Sequence, residues 1–222
     1  MAKTLILPKL NHLFISLPTP DKAFLSSLNT AIFNFIWKSK GDKVKRKIVT
    51  QDYTKGGLKM LDVHNFVSSL KCSWIKRLTL KHKPWMDIFF AINGKNVTMK
   101  MLEFGDDFIR KMIKQNNVFW QDVFQSWHQV VNMLNKQPGY IKKNINVPIW
   151  YNSCITVANK SFFINVLYQH GVKLVGDFLS ANGAFLTYDN FLHMFNLPDI
   201  YVMQYNSIIS AISKFLKSVF VE

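Results

Sequence analysis

The chain has 222 residues, 49% of them hydrophobic and 14% aromatic, with only 9 Gly and 7 Pro. That composition excludes a disordered or low-complexity polypeptide and supplies enough apolar material for a sizeable core. The formal charge is +15, and between Lys38 and Lys83 thirteen Lys/Arg stand against three Asp, a net +10, which favours a polyanionic partner for that segment. Two distant cysteines, Cys72 and Cys154, make neither a disulfide framework nor a CxxC metal pair, and fit a reducing compartment, cytoplasm or nucleus. The N-terminus lacks a long apolar run with a small-residue cleavage site, and no uncharged apolar stretch approaches the roughly 18 to 20 residues that span a bilayer. The expectation is a soluble or peripheral protein with no membrane partner.

In chain order, the block from Leu5 to Leu17 is short and bounded by proline, and its pattern assigns no element. Thr19-Pro20-Asp21 opens the first clear helix: Thr19 suits the cap, Pro20 the first helical position, and Asp21 the positive end of the dipole. Phe24, Leu28, Ala31, Ile32, Phe35 and Ile36 then recur at helical spacing, and Gly41 ends the pattern. Ile48-Val49-Thr50 and Leu58-Met60-Leu61, around Lys55-Gly56-Gly57, read as a small hairpin near residues 48–61. Asp62 caps a second helix with Val63, Val67, Leu70, Trp74 and Leu78 on one stripe and Lys71, Lys76 and Arg77 off it. Pro84 and "INGKNVT" mark an organisational boundary near residues 83–97.

Beyond the boundary, Phe119 or Trp120, Val123, Phe124, Trp127, Val130, Val131 and Leu134 predict a long amphipathic helix. A loop of about a dozen residues, "KQPGYIKKNINVP", follows. Shorter helices are expected from Ser161 to His170, near Thr187, and from Tyr201 to Val219. The fold class is mainly α, helical with the one small hairpin.

"EFGDDF", Glu103 to Phe108, contains a Gly-Asp-Asp like the metal-binding turn of nucleic-acid polymerases. That chemistry needs adjacent carboxylates on a hairpin between hydrophobic strands and a further upstream Asp. Here Phe108, Met112, Ile109 and Ile113 fall at four-residue spacing, so Asp106 and Asp107 read as first-turn residues of a helix. His12, His64, His82, His128, His170 and His193 never fall in a ligand spacing, and neither cysteine has a neighbouring His to activate it. With no phosphate-cradling glycine loop either, no catalytic residue, metal or cofactor is expected.

The segment "FIWKSKGDKVKRK" is different. It sets an aromatic helix end against Lys38, Lys40, Lys43, Lys45, Arg46 and Lys47, which straddle Gly41 and Asp42. Trp37, His64, Trp74 and Trp85 lie near in sequence, and aromatics beside cations suit single-stranded or heteroduplex nucleic acid. The alternatives are a solvated basic face, and core positions for the tryptophans, Trp74 above all. A membrane-surface helix needs cations and apolar groups on opposite faces of one helix, which Gly41 interrupts. The candidate nucleic-acid-binding residues are therefore Lys38, Lys40, Lys43, Lys45, Arg46, Lys47, Lys71, Lys76 and Arg77.

The order of these blocks resembles the polyprotein of LINE-type (non-LTR) retrotransposons, in the part after the reverse transcriptase catalytic core. "LILPKLNHLFISLPTP" looks like the end of the thumb region. Phe35 and Trp37, the basic run Lys43 to Lys47, the Gly56-Gly57-Leu58 turn, and the helix bearing Trp74 and Arg77 are similar to the segment after it. "FWQDVFQSW", "PIWYNSCI" and "GVKLVGDFLSANGAFLTYDNF" look like the C-terminal stretches, so the resemblance covers nearly all of the chain. It implies RNA-templated DNA synthesis at a nicked target, with this part helping to hold RNA or an RNA–DNA hybrid. The catalytic Asp-Asp hairpin and the endonuclease would lie upstream of residue 1, and the terminal Cys/His knuckle of some members is absent. The expectation is a non-catalytic fragment, with residues 1–83 as thumb end plus basic connector and 98–222 as an aromatic-rich helical domain. The alternative is an interaction or scaffold piece whose aromatic surfaces pack on the missing polymerase core.

Overall fold

The structure, a computed structural model, describes residues 7–135, 146–198 and 202–220. It is mainly α. In chain order the helices are α1 (Leu7–Ser16), α2 (Lys22–Ile36), α3 (Arg46–Thr50), α4 (Val63–Leu78), α5 (Pro84–Asn93), α6 (Val97–Glu103), α7 (Asp106–Gln115), α8 (Val118–Asn135), α9 (Asn165–Gln169), α10 (Tyr188–Phe195) and α11 (Val202–Phe220). Two 3-10 turns, Tyr53–Lys55 and Val175–Phe178, complete the regular elements. The β-structure among the described residues amounts to isolated bridges, such as Pro148 with Leu174. Most of the loop expected after α8, residues 136–145, and the expected helix start at Tyr201 lie outside the described residues.

The chain divides into two compact units, Met1–Leu80 with Asn116–Trp127, and Lys81–Gln115 with His128–Glu222. The first half of α8 thus belongs with the N-terminal helices rather than with the material beyond residue 98.

In the first unit, Phe14, Leu25, Ile32, Val63 and Val67 form a buried cluster on α1, α2 and α4. The proline-bounded N-terminal block is a helix after all. Pro8 stands in its first turn, where a missing N–H costs nothing. The α2 cap is Asp21, whose side chain accepts from Phe24 N at 2.7 Å. Thr19, expected to cap, instead donates its backbone N–H to Asp122 Oδ2 at 2.5 Å. The apolar face of α2 is also turned from the expected one: Leu25, Ile32 and Phe33 are buried, while Phe24 and Phe35 stand exposed.

The hairpin near residues 48–61 needs a correction. Its two segments do meet, since Leu58 N and Met60 N donate to Val49 O at 3.1 and 3.0 Å and Lys59 N donates to Gln51 O at 2.8 Å. Yet Arg46–Thr50 coils into α3 and no strand forms there. At the return, Gly57 packs so close to Gln51 that a Cβ would sit 2.1 Å from its carbonyl oxygen, so only glycine fits there.

The core of the second unit gathers Phe104, Ile149, Trp150, Phe178, Phe191, Tyr205, Ile208 and Ile212. Trp150 is buried with its Nε1 donating to Val172 O at 2.7 Å, so its one polar atom is satisfied. Phe178 stacks on Phe191 with centroids 4.9 Å apart. The helix expected over Ser161 to His170 is confined to α9, because Phe162 O accepts from Tyr151 N at 3.0 Å and holds the preceding residues in a non-helical run. The helix expected near Thr187 is α10, and Thr187 caps it, accepting from Asn190 N at 3.3 Å.

Candidate nucleic-acid interface

The basic loop begins where α2 stops. Trp37 caps the helix, its N–H reaching Phe33 O, and Lys38 and Ser39 follow in the left-handed region at φ 50 and 57. Two such residues in succession turn the chain away from the helix axis, a conformation more often left to Gly or Asn. Arg46 then ties the far end of the loop back. Its Nε donates to Asp42 Oδ2 at 2.7 Å, its Nη1 donates to Thr30 Oγ1 at 3.1 Å, and its guanidinium lies 4.9 Å from the Phe33 ring centroid.

The nine candidate cations separate into three groups. Lys38, Lys40, Lys43, Lys45, Lys47 and Lys76 are exposed, and none has an ion-pair partner among the described residues. Arg46 and Arg77 are half-buried and occupied: Arg46 holds the loop, and Arg77 lies 4.6 Å over the Trp74 ring. Lys71 is a correction. It is 0% exposed, and its Nζ donates to Leu17 O and sits 4.7 Å from the Phe119 centroid. Burial pushes its pKa down, against the opposing pull of Asp122. Lys71 therefore takes no part in the exposed set.

Trp74, expected in the core, is only half-buried. Its Nε1 donates to Ile15 O at 2.8 Å, and its ring meets Phe119 and Trp120 edge-on at 5.3 and 5.9 Å. Lys71 and Trp74 thus do one job between them, satisfying carbonyls left over at the C-terminal end of α1. Trp37 is half-buried, and Trp85 belongs to the second unit.

Sequence reasoning passed over other exposed groups of the first unit. Lys55 and Lys59 are exposed in the same unit, Lys59 at 3.5 Å from Asp52. Phe35 and Tyr53 are 54% and 67% exposed. Their signal was available, since both lysines flank the Gly-Gly turn. Exposed aromatic rings and exposed ammonium groups in one unit are what a polynucleotide strand uses, bases on the rings and phosphates on the cations.

The Gly-Asp-Asp segment lies in the second unit, where Asp106 and Asp107 open α7. Asp106 is 7% exposed, and both its oxygens are engaged. Oδ1 accepts from Ser153 N at 2.9 Å, while Oδ2 accepts from Ser153 Oγ at 2.8 Å and pairs with Arg110 at 2.8 Å. Asp107 pairs with Arg110 at 3.1 Å. Gly105 lies against the same backbone, where a Cβ would come within 2.7 Å of Tyr151 O and Asn152 Cα. Glu103 accepts from Lys173 Nζ at 2.6 Å and from the Tyr168 hydroxyl. Burial, then that hydrogen bond, pushes the Tyr168 phenol up to about 12. These carboxylates brace the fold.

Among the described residues no three His, Cys, Asp or Glu side chains are grouped to hold a metal ion, and no helix is long and apolar enough to cross a membrane. Compared with known protein families, curated proteins and solved structures, the chain has no match.

Proposed function

We propose that the first unit binds RNA or an RNA–DNA hybrid through its phosphates, and that the chain is a non-catalytic part of a non-LTR retrotransposon reverse transcriptase protein, working in cytoplasm or nucleus. One observation carries the binding reading: Lys38, Lys40, Lys43 and Lys45 on the loop and Lys47 in the first turn of α3 are exposed with no ion-pair partner among the described residues, and Arg46 holds the loop in place. An anchored loop of free ammonium groups gives up little chain entropy when a polyanion arrives. Backbone contacts of this kind position a strand without reading its sequence. The parent protein rests on the order of motifs alone, and polymerase chemistry would belong to its other parts.

The test is fluorescence anisotropy of the purified chain with a short RNA–DNA hybrid. If about four to six cations meet phosphates, log K falls against log salt with a slope of roughly −3 to −5 between about 50 and 300 mM. Reversing Lys43, Lys45 and Lys47 to Glu, with Arg46 left in place to keep the loop, should weaken binding to every sequence alike. Unchanged binding by the triple variant would overturn the reading.

A second reading has its own support. On α5, in the second unit, Ile88 and Ile92 are 69% and 65% exposed one turn apart, an apolar pair without cover. An interaction piece that packs on a polymerase core would present such a face. Light scattering should then show self-association that Ile88→Lys with Ile92→Lys abolishes. A monomeric parent chain counts against it.

A further inference from the structure

From α3 to Met60 the first unit folds back on itself. Leu58 N and Met60 N both donate to Val49 O, at 3.1 and 3.0 Å, and Lys59 N donates to Gln51 O at 2.8 Å. Gly57 N donates to Asp52 O at 3.0 Å, which sets the 3-10 turn Tyr53–Lys55 against the same backbone. Gly56 closes that turn in the left-handed region at φ 73, a conformation glycine adopts without strain. The backbone that carries Tyr53 is therefore tied down on both sides of it.

Tyr53 stands on this fold-back with nothing against it. It is 67% exposed, its ring meets no other ring or cation, and its hydroxyl has no hydrogen-bond partner among the described residues. The surroundings are cationic: residues 46–60 carry Arg46, Lys47, Lys55 and Lys59 against Asp52 alone. Lys55 belongs to the same turn as the ring and has no ion-pair partner among the described residues. Lys59 Nζ lies 3.5 Å from the carboxylate of Asp52, the residue next to Tyr53, in a solvent-exposed pair of the kind worth little. An uncovered aromatic ring and two ammonium groups are thus held on one short fold-back by observed contacts. A partner that covers the ring has to be flat and apolar there and negatively charged beside it. An unpaired nucleobase between its two phosphates meets that description. A duplex does not, because its bases are stacked on one another and it presents only base edges and backbone.

Resting on the phosphate-binding reading above, we propose that the fold-back binds single-stranded nucleic acid, with one base stacked on Tyr53 and the flanking phosphates on Lys55 and Lys59. Stacking of this kind is indifferent to base identity, since every base has a π-face. The site therefore sorts single strand from duplex, and not one sequence from another.

The test compares three probes by anisotropy at about 50 mM salt: a U-only RNA octamer, an abasic octamer with the same phosphates, and an RNA–DNA hybrid of that length. The U octamer should bind about tenfold more tightly than the abasic one, the size of one stacked base. Tyr53→Ala should abolish that advantage while leaving the affinity for the abasic octamer and the hybrid, and every salt slope, unchanged. Tyr53→Phe keeps the ring and should bind as the parent does. Equal binding of the two octamers by the parent chain, or an advantage that survives Tyr53→Ala, overturns the stacking site. The phosphate surface then stands, and in the first case the ring is left for a protein partner. Should no probe bind, the phosphate reading falls and the stacking site with it.

Discussion

The basic loop of the first unit and the acidic segment of the second treat charge in opposite ways. From Lys38 to Lys47 one arginine is pinned and five lysines are left without partners among the described residues. From Glu103 to Arg110 every carboxylate is occupied: Glu103 by Lys173 and Tyr168, Asp106 by Ser153 and Arg110, Asp107 by Arg110. The first arrangement spends almost nothing on folding and holds its electrostatic free energy in reserve for a ligand. The second uses its charges to fix backbone, so it has little left to offer an ion or a substrate. Density of charge in the sequence is similar in kind at both places. Pairing separates them.

The sharpest way to break that comparison is to remove a paired carboxylate. Asp106→Ala leaves Ser153 N and Oγ without their acceptor and should destabilise the chain by about 2 to 3 kcal/mol in urea unfolding, because buried groups then lack partners. Asp107→Ala, on a more exposed carboxylate sharing the same arginine, should cost less than about 0.5 kcal/mol. Equal losses at the two positions would mean that Asp106 is not the brace described above. A step down in size, Glu103→Gln keeps an acceptor for Tyr168 and gives up the ionic pairing with Lys173. Its expected cost is about 1 kcal/mol.

Parts of both regions were legible in the sequence. The first-turn placement of Asp106 and Asp107 followed from Phe108, Met112, Ile109 and Ile113 at helical spacing, and Asp62 announced its helix by local cap chemistry. The partner of Asp106 was not legible, because Ser153 lies 47 residues away and no local pattern points to it. Lys71 and Trp74 exchanged their expected places for the same reason. Hydropathy sends a lysine outward and a tryptophan inward, but the carbonyls they satisfy on the α1 side are 54 and 59 residues distant. The hairpin expected near 48–61 did not form because Arg46–Thr50 is helical, although Ile48-Val49-Thr50 are strand-favouring side chains. The surface lysines were easy by contrast, since a run of cations with one Asp among them has too few partners nearby to be neutralised.

Alkaline titration separates the regions more gently. Burial raises the Cys72 thiol from 9.0 to about 11, and Tyr168 rises from 10.0 to about 12. A raised acid holds its proton in the folded chain after the unfolded chain has lost it. Stability from these groups is therefore complete below pH 9 and declines as pH climbs toward 11 and 12. Lys71 works the other way: its lowered pKa makes the folded chain bind fewer protons, so its contribution rises with pH up to 10.5. Chemical denaturation at pH 8, 9, 10 and 11 should show a decline that Cys72→Ala makes shallower between pH 9 and 11. A Cys72→Ala profile parallel to the parent would refute the thiol's part.

The smallest expected effect on stability is the most telling for function. Lys43→Ala, Lys45→Ala and Lys47→Ala each remove an exposed ammonium with no ion-pair partner among the described residues, so each should leave unfolding within about 0.5 kcal/mol of the parent. Each should nonetheless reduce the magnitude of the salt slope for nucleic-acid binding by about 1, the signature of one lost phosphate contact. Arg46→Ala tests the same logic in reverse. It removes two hydrogen bonds and a ring contact that hold the loop, so it should cost stability as well as affinity. A loop in which Arg46 and Lys45 behave alike in both measurements would have no division between anchor and contact, and the contrast between pinned and free charge would not hold there.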